Sequence, residues 1–215
     1  MCQSTLAIYC FIDDLLKSLR HSQDSRAQVT DSEVITIALI AMLYLGGNFE
    51  KSRLVLHELG LMKRVLSRSR LNRRLHQVAD LIDLIFYRFG SVLKDLNWES
   101  RYLLDSFPVP ICDNIRIKRC RIVRDERFRG YLTSKRRYFY GIRVQVMTRF
   151  DGVPVEFAML PGKFADIDGL AQLPLDLPDG AHLIADSAYT QFEWEEHLQQ
   201  TQGLRMLVVA KSNTK

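Results

Sequence analysis

The rhythm of apolar and polar positions changes once along this chain, near residue 97. Before that point apolar residues recur at helical spacing. Leu6, Ile8, Tyr9, Ile12, Leu15, Leu16 and Leu19 share one helix face. Thr30-Asp31-Ser32-Glu33 has the Thr-to-Glu offset of a capping box and predicts a strongly apolar helix to about Leu45, ended by Gly46-Gly47-Asn48. A third helix is predicted from about Phe49 to Leu59, stopped by Gly60. A fourth runs from roughly Arg70 to Leu93, with apolar residues at Leu71, Leu75, Val78, Leu81, Ile82, Ile85, Phe86 and Phe89. Its approach, Lys63 to Arg74, holds six basic residues and no acid. Residues 1–97 therefore read as an all-helical region. Two short helices before a basic one suit either a DNA-reading helix-turn-helix or a plain bundle with a solvated charged face, about equally.

From residue 98 the pattern is that of strands. Tyr102 to Leu104 is a short apolar run ending on Asp105, and Pro108-Val109-Pro110 follows. Prolines break both helix and ladder, so the chain is expected to turn away there. Ile111 to Leu132 is basic and irregular and reads as a loop or short helix. Ile142 to Phe150 reads as a long strand with apolar residues alternating at Ile142, Val144 and Val146. Asp151-Gly152 is a hairpin turn leading to a returning strand, Val153 to Leu160. Next come a short helix, Asp166 to Leu173, capped by Asp166; a buried strand, His182 to Ala185, ending on Asp186; a helix, Gln191 to Gln200; and a strand, Leu204 to Ala210. The order β-β-β-α-β-α-β predicts an α/β fold, a ribonuclease-H-like mixed sheet occupying residues 98–215. In that order the first and fourth strands lie side by side, which would bring Asp105 and Asp186 together.

Charge sharpens the picture. The net charge is +5 over 215 residues, yet residues 116–149 hold 12 Lys/Arg against 2 Asp/Glu. This basic block lies between the two acid-bearing strands and suits a polyanion, nucleic acid above all. Arg116, Lys118, Arg119, Arg121, Lys135, Arg136 and Arg137 are the candidate phosphate contacts. Two facing carboxylates in a basic groove make a hard-oxygen site for Mg²⁺ or Mn²⁺. A pair of such ions about 3.5–4 Å apart can activate water or a 3′-hydroxyl against a phosphodiester. Cys2, Cys10, Cys112 and Cys120 have no zinc-finger spacing, and the N-terminus has no signal-peptide pattern. The longest uncharged stretch, Val34 to Phe49, is too short to span a bilayer, so a cytoplasmic protein without a membrane anchor is expected. Lys163 and Asp166 read first as a turn residue and a helix cap, and second as neighbours of the acid pair.

Several of these residues together carry a resemblance. They are Asp105-Ser106-Phe107-Pro108-x-Pro110-x-Cys112, the basic run, Lys135-x-x-Tyr138-Phe139-Tyr140-Gly141, Pro161 before Asp166, and Asp186-x-x-Tyr189. The ordered set resembles bacterial insertion-sequence transposases of the DDE class, most closely the group numbered nine-eighty-two, over nearly the whole chain. The resemblance implies a cut-and-paste transposase that performs metal-dependent DNA cleavage and strand transfer during recombination of a mobile element. Asp105 and Asp186 would be its metal ligands, Mg²⁺ or Mn²⁺ its cofactor, transposon ends and target DNA its partners, and a homo-oligomer its acting form. That family's second acid stands in Asp-Lys-Gly-Tyr, whereas this chain has Asp186-Ser187-Ala188-Tyr189. Its third acid, a Glu on a later helix, would fall beyond Lys215. Glu193, Glu195 and Glu196 lie on the preceding helix, in the wrong topological place. A chain truncated before the third ligand, with weak metal binding and poor catalysis, is therefore expected. The alternative of another class is an inactive remnant that only binds DNA.

Overall fold

The computed structural model describes residues 1–112, 114–132 and 136–208. Five helices open the chain: α1 (Cys2–Ser18), α2 (Asp31–Tyr44), α3 (Phe49–Glu58), α4 (Arg68–Gln77) and α5 (Ala79–Asp95). The chain forms two compact units, which divide between Ile85 and Phe86, inside α5. In the first unit the capping box at Thr30 is fully made. Thr30 Oγ1 accepts from the Glu33 N–H at 3.1 Å, and Glu33 Oε2 accepts from the Thr30 N–H at 2.6 Å. Helix α2 is buried on most sides as far as Ala41, with Val34, Ile35, Ile37 and Ile40 in two apolar clusters that also take in Ile12, Leu16, Leu56 and Leu71, and exposed in its last turn, Met42 to Tyr44. The single helix expected from Arg70 to Leu93 is two helices, broken at Val78. Its side chain is buried and its N–H still reaches the Arg74 carbonyl at 3.0 Å. The apolar spacing continues in phase across the break, so periodicity could not show it.

The second unit is built on a six-stranded sheet: β1 (Arg101–Cys112), β2 (Arg129–Leu132), β3 (Arg137–Arg149), β4 (Pro154–Pro161), β5 (His182–Ala185) and β6 (Arg205–Val208). The path is β2-β3-β1-β5-β6, with β4 also pairing β3. Strand β1 is antiparallel to β3 on one side and parallel to β5 on the other; β6 is parallel to β5. Helices α6 (Asp166–Leu170) and α7 (Phe192–Gln202) lie in the connections β4–β5 and β5–β6. Their Leu170 and Leu198 join Tyr102, Leu104, Met147, Leu160, Leu183 and Tyr189 in one core. The strand expected from Leu204 to Ala210 is β6; its last two positions, Val209 and Ala210, lie outside the described residues. Among the described residues no single helix is long and apolar enough to cross a membrane.

Two expectations about this sheet are corrected. The chain does not turn away at Pro108-Val109-Pro110, because β1 stays paired with β3 as far as Cys112. Past Leu104↔Ala185 the β5 ladder ends, so among the described residues this half of β1 has a neighbour on only one side. Pro108 and Pro110 lie two apart, so their nitrogens face the same side, and an edge is where a strand tolerates proline. The second correction is β2, which lies within the Ile111 to Leu132 stretch expected as a loop or short helix and adds a strand to the expected β-β-β-α-β-α-β order. In β3 the apolar positions Ile142, Val144 and Val146 are only partly buried, whereas Gln145 and Met147 are 1% and 0% exposed. The packed face of β3 is thus the one that carries Arg143 and Gln145. The other face leaves Phe107, Met159 and Leu207 exposed.

Candidate active site

Asp105 and Asp186 are each the next residue past the last β1–β5 pair, Leu104↔Ala185. In a parallel pair, residues in register point to the same face. The register therefore sets the two strand ends that carry these acids next to each other, where both strands leave their shared ladder. Both residues are exposed. Each uses one oxygen locally: Asp105 Oδ1 accepts from the Ser106 N–H at 2.7 Å, and Asp186 Oδ1 from the Ala188 N–H at 2.9 Å. The second bond forms because Asp186 caps a turn of 3₁₀ helix, Ser187–Tyr189, which redirects the chain sharply after β5. Among the described residues no salt bridge engages either carboxylate. No group of three or more His, Cys, Asp or Glu among them could hold a metal ion.

Asp166 is close in space but belongs to the opposite face. It does not cap α6; the cap is Ala165, whose N–H goes to the Asp168 carboxylate at 2.9 Å. The Asp166 carboxylate instead takes the Ser106 hydroxyl and the Arg143 guanidinium, and Arg143 also lies 3.3 Å from Ser106 Oγ. Since side chains alternate along a strand, Ser106 points away from the face carrying Asp105. Gln145 Nε2 donates to the Tyr189 hydroxyl at 3.1 Å and to the Asp166 backbone carbonyl at 3.3 Å. Burial, and then the Asp166 charge, push the Tyr189 phenol well above its ordinary value and keep it protonated. Sequence reading passed over Arg143 and Gln145. The signal available was two polar residues two apart on one face of an otherwise apolar strand.

The basic block leaves β1 as a turn of 3₁₀ helix, Asn114–Arg119. Arg116, Lys118, Arg119 and Arg121 are exposed, as are Arg136 and Arg137 at the start of β3. Lys135 lies outside the described residues. None of those six is paired with a carboxylate among the described residues, while Arg127 and Arg129 are, with Asp125 and Glu126. Lys118, Arg119, Arg121 and Arg124 line a cavity of about 670 Å³ with Cys120 and Tyr140. Unpaired cations around a concavity suit phosphate oxygens.

Residues 99–215 match the transposase DDE domain family. The chain belongs to that family. No curated protein and no solved structure matches it. DDE transposases act on DNA and use divalent metal ions, so the site can be tested against that requirement. The donor chemistry fits: two exposed carboxylates each follow the last β1–β5 pair, and each is anchored through one oxygen by a backbone N–H. Asp105 and Asp186 are side chains that could hold such an ion.

Proposed function

We propose that this DDE transposase belongs to an insertion sequence of the nine-eighty-two type and carries out metal-dependent cleavage and strand transfer at Asp105 and Asp186. The observation that carries the proposal is the β1–β5 register, which sets the two acids one step beyond their last shared pair. The sheet order around β1, antiparallel β3 on one flank and parallel β5 on the other, supports a ribonuclease-H-like core at 98–215. The helical residues 1–97 are the DNA-binding region. A divalent ion, Mg²⁺ or Mn²⁺, bound by the two carboxylates would supply Lewis acidity at the scissile phosphate and an activated water or 3′-hydroxyl. The chain's own part is to hold and orient. Backbone N–H groups at Ser106 and Ala188 fix one oxygen of each acid, and Arg116, Lys118, Arg119, Arg121, Arg136 and Arg137, with Lys135, grip the strands through phosphates rather than bases. The acting form is a homo-oligomer that joins element ends to target DNA.

The test is nicking of a labelled element-end duplex with Mg²⁺ or Mn²⁺, for the chain beside Asp105→Asn and Asp186→Asn. Metal-dependent nicking lost in both variants is the expected result. A gel shift that persists, with no nicking by the parent at any metal concentration, would replace this reading with that of a DNA binder.

A further inference from the structure

Directly behind the acid pair, on the packed face of the sheet, lies a polar network that takes no part in the chemistry just proposed. We propose that Ser106, Arg143, Gln145, Asp166 and Tyr189 are positioning residues that set the spacing of Asp105 and Asp186, an inference that rests on the metal-binding reading of those two acids. The network connects the two strand ends by side-chain contacts. Ser106, next in the chain to Asp105, is held by the Asp166 carboxylate. The Asp166 backbone carbonyl takes Gln145 Nε2, and the same nitrogen reaches the Tyr189 hydroxyl. Tyr189 closes the turn that Asp186 caps, its N–H bonded to the Asp186 carbonyl at 3.1 Å. A closed path therefore runs from one acid's backbone to the other's, behind the sheet, where β5 no longer ties β1.

Stability alone does not account for this arrangement. Arg143 and Asp166 are only 13% and 19% exposed, and a buried ion pair is often no more stabilising than apolar side chains of the same volume. Arg143 Nε and Gln145 Oε1 are buried without a hydrogen-bond partner, which is a further cost. The network is also held tightly in place. A Cβ added at Gly169 would lie 1.8 Å from Gln145 Oε1, so α6 packs its glycine against the end of that side chain. Such a network, costly and rigid, fits the role of fixing one geometry, as groups behind metal ligands do.

The experiment is calorimetric titration of the chain with Mn²⁺ in the absence of DNA, for the parent, Asp105→Asn, Asp166→Asn, Tyr189→Phe, Ser106→Ala and Ser106→Thr. Near-UV circular dichroism and urea unfolding run alongside to establish that each variant is folded. The parent is expected to bind Mn²⁺ in a manner lost with Asp105→Asn. Asp166→Asn, Tyr189→Phe and Ser106→Ala are expected to weaken that binding about 10- to 100-fold while folded, and Ser106→Thr, which keeps the hydroxyl, to restore it. Should Asp166→Asn not fold, the Ser106 pair and Tyr189→Phe decide. Folded variants that bind Mn²⁺ as the parent does would overturn the positioning role and leave the acid pair standing. A parent without Asp105-dependent binding would sink the acid-pair reading, and this inference with it.

Discussion

Lys94 and Glu156 provide the sharpest test of how the second unit is held together. Lys94 Nζ lies 2.8 Å from Glu156 Oε1, and the two side chains are 7% and 0% exposed. Glu156 Oε2 also accepts from the Leu175 N–H at 3.1 Å, so this one carboxylate ties α5 and the segment after α6 to the sheet. Lys94→Met keeps most of the side-chain volume and removes the charge. Removing one partner of a buried pair costs about 3–5 kcal/mol, because the other charge stays buried without compensation. Here the Leu175 bond survives, which places the expected loss toward the lower end, about 3 kcal/mol. Against a total stability of about 5–15 kcal/mol that is a large fraction. Adding Glu156→Gln removes the stranded charge and keeps an acceptor for Leu175. The double variant should then return to within about 1–2 kcal/mol of the parent, since one unsatisfied neutral group is all that remains. Urea unfolding followed by tryptophan fluorescence reads the right unit, since both tryptophans, Trp98 and Trp194, lie there. Trp98 is 91% exposed already, so the signal reports Trp194 leaving the core. A Lys94→Met variant within about 1 kcal/mol of the parent, or a double variant no more stable than the single, would refute the reasoning.

Three further outcomes are expected. Gly169→Ala, which on an exposed helix would stabilise slightly, should instead cost about 1–3 kcal/mol by forcing Gln145 and Leu160 aside, and thermal unfolding gives the sign at once. Thr30→Ala should cost about 1 kcal/mol through loss of the capping box, seen as a lower urea midpoint; an unchanged midpoint would mean the reciprocal bonds contribute nothing. Tyr189 has a raised folded pKa, so its contribution to stability is complete below the ordinary tyrosine value of 10.0 and declines as pH climbs above it, where the unfolded phenol ionises first. The stability difference between parent and Tyr189→Phe should accordingly shrink above that value, and urea midpoints on either side of it measure the change.

How much of this was legible in the sequence varied with the kind of signal. Local chemistry read well: the Thr30–Glu33 capping box, the Asp151-Gly152 hairpin and the strand ending on Asp186 are all features of neighbours in the chain. Features decided by tertiary neighbours did not. The prolines at 108 and 110 mark a strand end only if a partner is needed on both sides, and the sequence could not show which part of β1 the short strand β5 would pair with. In β3 the apolar alternation pointed to the less buried face, because Arg143 and Gln145 find their partners in Asp166 and Tyr189, which lie 23 and 44 residues away along the chain. The pairing of the two strands that lead to Asp105 and Asp186 was reached through strand order. The network behind them had little local signature beyond Tyr189 and the two polar residues, Arg143 and Gln145, spaced two apart in β3.

The prolines of β1 have a consequence for association. Beyond Leu104, β1 presents an edge that no described residue pairs, beginning at Asp105, and open edges invite another chain's strand to pair. Pro108 and Pro110 remove two donors from that edge, so a foreign strand would find an interrupted ladder there. The ground next to the acids is thereby kept clear of peptide backbone and left to a partner that binds through its charge.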